Sequence, residues 1–208
     1  MVIIYKAYIK RTIDIVISLL ALVILSPLIL IVTVLVRVVI GSPVIFKQCR
    51  SGKLEKIFTI YKFRTMTDER DESGKLMPEE VRLTKFGKYL RSTSIDEIPE
   101  FINIIKGDMS IVGPRPLLVS YLSYYDNTEK RRHEVRPGLT GLAQINGRNA
   151  TTWDERLKYD VQYVDHVNFA SDIKIICSTI AIVLKREGIS SENHPTMESF
   201  IERKKVGL

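Results

Sequence analysis

The chain is poor in the residues that staple or metallate small proteins. Among its 208 residues there are two cysteines, three histidines and one tryptophan. Cys49 and Cys177 lie far apart and form no Cys-x-x-Cys, which excludes a disulfide framework and a dithiol redox motif. They read as free thiols in a reducing compartment. His133, His166 and His194 are scattered, so no zinc-ligand spacing exists. There is no Walker or Rossmann glycine fingerprint, no internal repeat and no low-complexity tract. No module with base-reading residues is present either, so nucleic acid is not the expected partner. Yet the net charge is +7 and the pI about 9.4. Such a balance calls for an anion, and lipid headgroups and phosphate substrates remain.

What the chain has in abundance is one apolar run, Ile15 to Val36, interrupted by Ser26-Pro27. A run of about 20 apolar residues can cross a bilayer as a helix. It is too long for a signal-peptide core, and no small-x-small cleavage site follows. Proline lacks an N–H and clashes with the carbonyl four residues back, so the helix must kink or break there. Cations stand on both sides: Lys6, Lys10 and Arg11 before the run, Arg37, Lys47, Arg50 and Lys53 after it. Cationic flanks favour the cytoplasmic face. A straight or kinked span satisfies one flank only, whereas a helix–break–helix that dips in and returns satisfies both. Hydropathy alone leaves both open. Asp14 can cap the first helix or answer Arg11. The expected organisation is a membrane helix hairpin over 1–40 and one catalytic domain over 41–208.

Two β-type runs, 44–48 and 56–63, flank a polar turn at Ser51-Gly52-Lys53 and predict a hairpin. Residues 68–80 read as a surface loop. Leu83, Phe86 and Leu90 predict one apolar helix face over 82–90. Ser94 then predicts an N-cap for a helix over 95–106, with Glu97 closing a capping box and Gly107 ending it. Residues 110–116 read as a rigid loop, 117–125 as helical, and 152–164 as a helix. Residues 172–186 predict a very apolar helix capped by Asp172, suited to a core or to the membrane interface.

Asp96-Glu97, with Arg91 five residues upstream, is the candidate chemical centre. Carboxylates form covalent intermediates with phosphoryl groups, while helix N-termini and arginines bind phosphate oxygens. The bland alternative makes Glu97 a capping acid and Asp96 a helix-dipole residue. In Gly113-Pro114-Arg115-Pro116, prolines on both sides preset an arginine for an anion, or simply stiffen a turn. Arg136, Arg148 and Asn149 lie among glycines that could let backbone approach a diphosphate. Asp160, Asp165 and Asp172, near the C-terminal helices, could supply a metal ligand, each being more simply a cap or surface charge.

In order along one chain these signals resemble the bacterial sugar transferase family, the monotopic phosphoglycosyl transferases. The matching stretches are Lys10-Arg11 to Asp14, Ser26-Pro27, PVIFKQCRSG (43–52), FTIYKFRTM (58–66), RSTSIDEIPE (91–100), NIIKGDMSIVGPRP (103–116), RPGLTGLAQINGRN (136–149) and YDVQYV (159–164) through Asp172. They cover nearly the whole length. The chain looks like the small single-domain members, such as those that initiate bacterial N-linked glycan assembly. The resemblance implies a predominantly α fold with a small β-hairpin and interfacial amphipathic helices. It implies a re-entrant helix broken at Ser26-Pro27, embedded in the cytoplasmic leaflet of the bacterial inner membrane.

It also implies transfer of a sugar-1-phosphate from a UDP-sugar, with an N-acetylated sugar expected, to undecaprenyl phosphate, releasing UMP and requiring Mg²⁺. Asp96 is then the nucleophile and Glu97 its dyad partner, and the two are the metal-binding carboxylates. Arg91, Pro114, Arg115, Pro116, Arg136, Arg148 and Asp172 become the phosphate- or substrate-binding set. Glu100 stands where many members carry glutamine and Leu142 where many carry tryptophan. A homodimer, the sugar and the pathway stay open. Two other readings remain: a membrane-anchored scaffold that would tolerate loss of Asp96, and a hydrolase using water as acceptor.

Overall fold

The computed structural model describes residues 5–147, 151–185 and 200–201. A π-turn over Tyr5–Ile9 leads into α1 (Lys10–Ile24). Leu25 separates it from α2 (Ser26–Val39), and the two helices are bent by 64°. The Ser-Pro pair explains the break. Pro27 is the residue whose N–H would reach the carbonyl of Val23, and it has none. The Ser26 hydroxyl donates to that carbonyl instead, at 2.8 Å. Among the described residues no single helix is long and apolar enough to cross a membrane; the bent pair together meets that measure by length and composition only.

Both outer ends of this bent pair pack on the same body. Arg11 donates to the carbonyls of Ile104 and Ile105 at 2.5 and 2.8 Å. Lys10 reaches Asp172 Oδ2 at 2.6 Å. Asp14 does not cap α1, though its charge acts on Arg11 as expected. Its buried carboxylate accepts the backbone N–H of Ile111 at 3.1 Å. At the far end Val32, Val36 and Ile40 share a core with Phe63, Leu90 and Ile98. Between these anchors twelve large apolar side chains, from Val16 to Val39, are exposed. That is far more than a water-facing surface leaves uncovered.

The hairpin forms as the alternation predicts, with β1 (Ile45–Ser51) antiparallel to β2 (Ile57–Phe63), in register from Ile45 opposite Phe63 to Ser51 opposite Ile57. The stretch 68–80 is mostly irregular. It runs into a single turn, α3 (Glu79–Arg82), and then α4 (Lys85–Ser92) starts at a Thr84 cap. Next comes a 3₁₀ turn over Ile95–Glu97, followed by α5 (Glu100–Lys106). A second sheet, not expected from the sequence, pairs β3 (Ser110–Val112) in parallel with β4 (Gly138–Thr140). It explains part of the glycine-rich stretch. A Cβ on Gly138 would sit 2.1 Å from Gly113 N, and one on Gly141 2.2 Å from Gly113 O. These two glycines let backbone approach backbone. Segments 119–124 and 129–134 are 3₁₀ turns rather than longer helices.

The chain ends in α6 (Leu142–Ile145), α7 (Trp153–Asp165) and α8 (Phe169–Lys185). Thr152 and Glu155 form a full capping box on α7. Asp172 does not cap α8, which begins three residues earlier; it lies within the first turn. Tyr5, Ile60, Ile104, Met109, Ile111, Tyr163 and Ile175 make the main core, which ties the N-terminal turn to β2, α5, β3, α7 and α8. Cys49 and Cys177 are free and exposed, as expected.

Candidate active site

Asp96 and Glu97 do not start an α-helix. Ser94 is left-handed (φ 56°) and makes no side-chain cap. The backbone then runs in i→i+3 bonds: Glu97 N to Ser94 O, Ile98 N to Ile95 O, and Phe101 N to Ile98 O. Pro99 cannot donate, so the α ladder begins only at Glu100. In a three-residue turn neighbouring side chains diverge by about 120°. The two carboxylates therefore face different surroundings. Ile95 and Ile98, on either side of them, pack against the core shared with α2. The dyad is thus fixed to the second arm of the bent helix pair.

Glu97 is the anchored acid. Its Oε1 accepts from Lys62 Nζ at 2.5 Å and from an Arg115 terminal nitrogen at 2.7 Å. Burial pushes its pKa up, but Arg115 and Lys62 outweigh that and hold it near 2. Its Oε2 carries no bond. Asp96 is buried, and among the described residues no hydrogen bond or ion pair reaches its carboxylate. Burial and the negative Glu97 raise its pKa to about 6, against the pull of Lys62, Arg91 and Arg115. Its carboxylate lies among the cations Lys62, Arg91 and Arg115. Charge pairs of this kind spread the pKa values of adjacent acids and separate their tasks.

The cations come from three elements. Lys62 reaches in from β2 and also touches Glu100 Oε1 at 3.0 Å. Arg91, at the end of α4, has its Nε on Thr65 Oγ1 at 3.1 Å. Arg115 sits on the proline-flanked loop. That loop is pinned by Pro114 O, which accepts from Gly138 N, and by Arg115 O, which accepts from Arg132 at 2.7 Å. Arg132 is in turn held by Asp160 through two bonds of 2.8 and 3.0 Å, both residues being buried. Lys62 and Arg132 had no assigned part in this site from sequence, and Asp160, read there as a possible metal ligand or a cap, instead pairs with Arg132. A lysine between Tyr61 and Phe63 in an otherwise apolar strand was the available signal for the first.

The remaining expected residues scatter. Arg136 donates to Gly107 O at 2.9 Å, at the opposite end of α5 from the dyad. The seven residues of α5 lie between, roughly 10 Å of helix. Asp172 is saturated by Tyr5, Lys10 and Tyr163 at 2.6, 2.6 and 2.7 Å, and holds α8 to the N-terminal turn. Asp165 is an exposed partner of Arg131. Arg148 and Asn149 lie outside the described residues. His133 is buried with Nδ1 facing Gly52 O at 3.1 Å, and burial together with Arg132 lowers its pKa to about 4. A concavity of about 300 Å³ lies between α6, α7 and α8, and its lining does not include the dyad.

A sequence profile described as "Bacterial sugar transferase" matches residues 5–186. The chain belongs to that family. It is 54% identical over 92% of its length to the uncharacterized sugar transferase EpsL of Bacillus subtilis, covering 95% of that protein. It is 41% identical over 82% of its length to the UDP-glucose:undecaprenyl-phosphate glucose-1-phosphate transferase of Klebsiella pneumoniae. It is 38% identical over 86% to the UDP-N-acetylgalactosamine-undecaprenyl-phosphate N-acetylgalactosaminephosphotransferase of Aeromonas hydrophila. The chain spans about two-fifths of the length of these last two, 39% and 44%.

Among the described residues no three acidic, histidine or cysteine side chains converge as a ready metal cage. Mg²⁺ does not need one. It commonly takes one or two carboxylates and fills its shell with water and substrate phosphates. The open oxygens, those of Asp96 and Oε2 of Glu97, fit that donor set.

Glu100 is buried behind the dyad, and burial and Glu97 raise its pKa to about 7. Near neutrality it is partly protonated, and glutamine is the neutral isostere. Glu100→Gln is therefore expected to keep activity at pH 7 within about threefold, because little charge is removed there. Any titration near pH 7 in the wild-type profile should vanish in the variant. A loss of more than tenfold at pH 7 would show that the ionised Glu100 is required.

Proposed function

We propose that the protein transfers a sugar-1-phosphate from a UDP-sugar to undecaprenyl phosphate through a covalent intermediate on Asp96. The observation that carries this reading is the asymmetric dyad: an unpaired, buried Asp96 beside a Glu97 neutralised by Lys62 and Arg115. An Asp96 oxygen attacks the phosphorus that bears the sugar. The bond from that phosphorus to the bridging oxygen breaks, and UMP leaves. A phosphate oxygen of undecaprenyl phosphate then attacks the same phosphorus, and the bond to Asp96 breaks, restoring the carboxylate. Splitting the transfer lets a soluble and a lipid substrate use one site in turn.

Each step brings anion to anion, so the fixed cations Lys62, Arg91 and Arg115 are needed to lower repulsion before any bond forms. Mg²⁺, when bound, would add charge neutralisation at the phosphoryl oxygens, with Asp96 and Glu97 as its carboxylate partners. Glu97 keeps Lys62 and Arg115 aimed at the reacting group. The named relatives support undecaprenyl phosphate as acceptor and a nucleotide sugar as donor. An N-acetylated sugar is our reading of the donor.

The same reading makes the bent helix pair a re-entrant element in the cytoplasmic leaflet of the bacterial inner membrane. Its arms are roughly 22 and 21 Å long and open to an angle of about 116°. Set symmetrically, the tip reaches about 12 Å below the arm ends, less than half of a roughly 30 Å hydrocarbon core. Both cationic flanks then stay on one face. The exposed Phe169, Ile173 and Ile180 of α8 suit the interface beside it. Ile95 and Ile98 would hold the dyad at headgroup level, where a lipid phosphate lies.

Purified protein in lipid nanodiscs is expected to release UMP from a UDP-sugar only with polyprenyl phosphate and Mg²⁺ in multiple turnover. Free sugar phosphate formed without lipid would favour the hydrolase. Absence of UMP with every UDP-sugar tried would favour the scaffold.

A further inference from the structure

The Arg132–Asp160 pair behind the Arg115 loop is backed in turn by a residue far along the chain. Phe200 is fully buried. Its ring lies 5.0 Å from that of Tyr121, 5.3 Å from Tyr125 and 5.1 Å from Trp153. At such separations aromatic rings attract one another beyond the area they bury. Tyr121 and Trp153 also meet edge-on at 5.7 Å, and Leu157 belongs to the same cluster. The socket around Phe200 is thus built from the segment leaving the Pro114-Arg115-Pro116 loop and from the start of α7.

Both walls of the socket lead to Arg132. The Tyr125 ring lies against it, with the guanidinium carbon 5.7 Å from the ring centroid. On α7, Trp153, Leu157 and Asp160 are all buried, and their spacing puts them on one helix face. Asp160 holds Arg132, and Arg132 donates to Arg115 O at 2.7 Å. Arg115 then reaches Glu97. Side-chain contacts therefore run unbroken from Phe200 to the dyad. Phe200 also lies beyond residues 5–186, the span that the family profile matches. Reactive groups keep their geometry only where the residues behind them are locked by packing.

We infer that Phe200 is a positioning residue: seated against Tyr121, Tyr125 and Trp153, it braces Arg132 and thereby fixes the Arg115 loop beside Glu97. The consequence for turnover rests on the transferase reading. The brace itself does not.

The test uses the full chain in nanodiscs. Trp153 is the single tryptophan, so its emission reports the socket. The amides of Ser51 and Gly138 donate to Leu117 O and Pro114 O, on either side of Arg115, so their deuterium exchange reports the loop. Phe200→Ala is expected to move Trp153 emission to longer wavelength. Exchange at Ser51 and Gly138 should quicken at least fivefold while α5 exchanges as in wild type, and kcat/KM for UMP release should fall at least fivefold. Phe200→Leu, which refills the socket without a ring, should be intermediate in all three, and it carries the test if Phe200→Ala does not stay folded. In a chain already carrying Arg115→Gln, Phe200→Ala should cost less than a further twofold, because the group it positions is gone. Unchanged Trp153 emission in both variants overturns the seat. Shifted emission with loop exchange unchanged, with kcat/KM within twofold of wild type, or with a full second loss on top of Arg115→Gln, overturns the brace. Wild-type protein that releases no UMP with any donor, while loop exchange still follows the substitution at Phe200, overturns the reaction and leaves the brace standing.

Discussion

Asp96→Asn is expected to abolish turnover and to stabilise the fold. Removing a covalent nucleophile lowers UMP release by at least about 10³-fold. The stability gain follows from the sign of the pKa shift. Asp96 is protonated in both folded and unfolded chains at low pH. As pH rises the unfolded carboxyl ionises first, near 3.8, and the folded one only near 6. Holding that charge in the site therefore destabilises the protein increasingly through this window and fully above it. Asparagine carries no charge to hold. At pH 7.5 the gain should be about 1–3 kcal/mol, several degrees in Tm for a chain of this size. At pH 3.5 it should vanish. Wild-type activity should rise as pH passes through about 6, opposite in direction to stability. Retained turnover in Asp96→Asn, or a lowered Tm at pH 7.5, contradicts the role given to this residue.

The second large effect lies behind the site. Arg132 and Asp160 are both buried, and their pair ends on the carbonyl of Arg115. Asp160→Ala leaves a buried guanidinium without its partner, which destabilises by about 3–5 kcal/mol. Replacing both residues, Arg132→Met with Asp160→Leu, removes the uncompensated charge and should restore most of that stability. It should not restore turnover, because Arg115 has lost the donor that fixes its backbone. The expected pattern is a Tm within a few degrees of wild type and kcat/KM reduced at least tenfold. Chemical denaturation and UMP release on the single and double variants check it. Full activity in a stable double variant would reduce the pair to a core filler.

The dyad was legible because two acids stood together beside an arginine and a proline-flanked loop. Its geometry was not. Ser94-x-x-Glu97 satisfies the local rule for a capping box, but Lys62 from β2 and Arg115 from the loop offer Glu97 two charge-assisted bonds that a backbone N–H cannot match. Pro99 then keeps the turn tight. Long-range contacts of this kind have no signature in a local window. The hairpin and α7 were legible, since alternation and a Thr152-Glu155 box both act locally. The parallel pair β3–β4 was not, because strands of three residues carry no period. The positions of Asp172 and Arg136 away from the dyad were hidden for a related reason. Both sit in family-like stretches, yet one is saturated by two tyrosines and a lysine, and the other caps the far end of α5. The broken apolar run was read correctly as two helices meeting at Ser26-Pro27, and the anchoring of both ends to one body required the fold.

The most direct test of the account is intact-mass measurement of the protein after incubation with a competent UDP-sugar and Mg²⁺ but no lipid acceptor. A mass gain of one sugar-phosphate, mapped to Asp96, accompanied by one equivalent of UMP and chased by undecaprenyl phosphate, is the predicted result. UMP release that strictly requires lipid from the first turnover, with no adduct on rapid quenching, would contradict the covalent route.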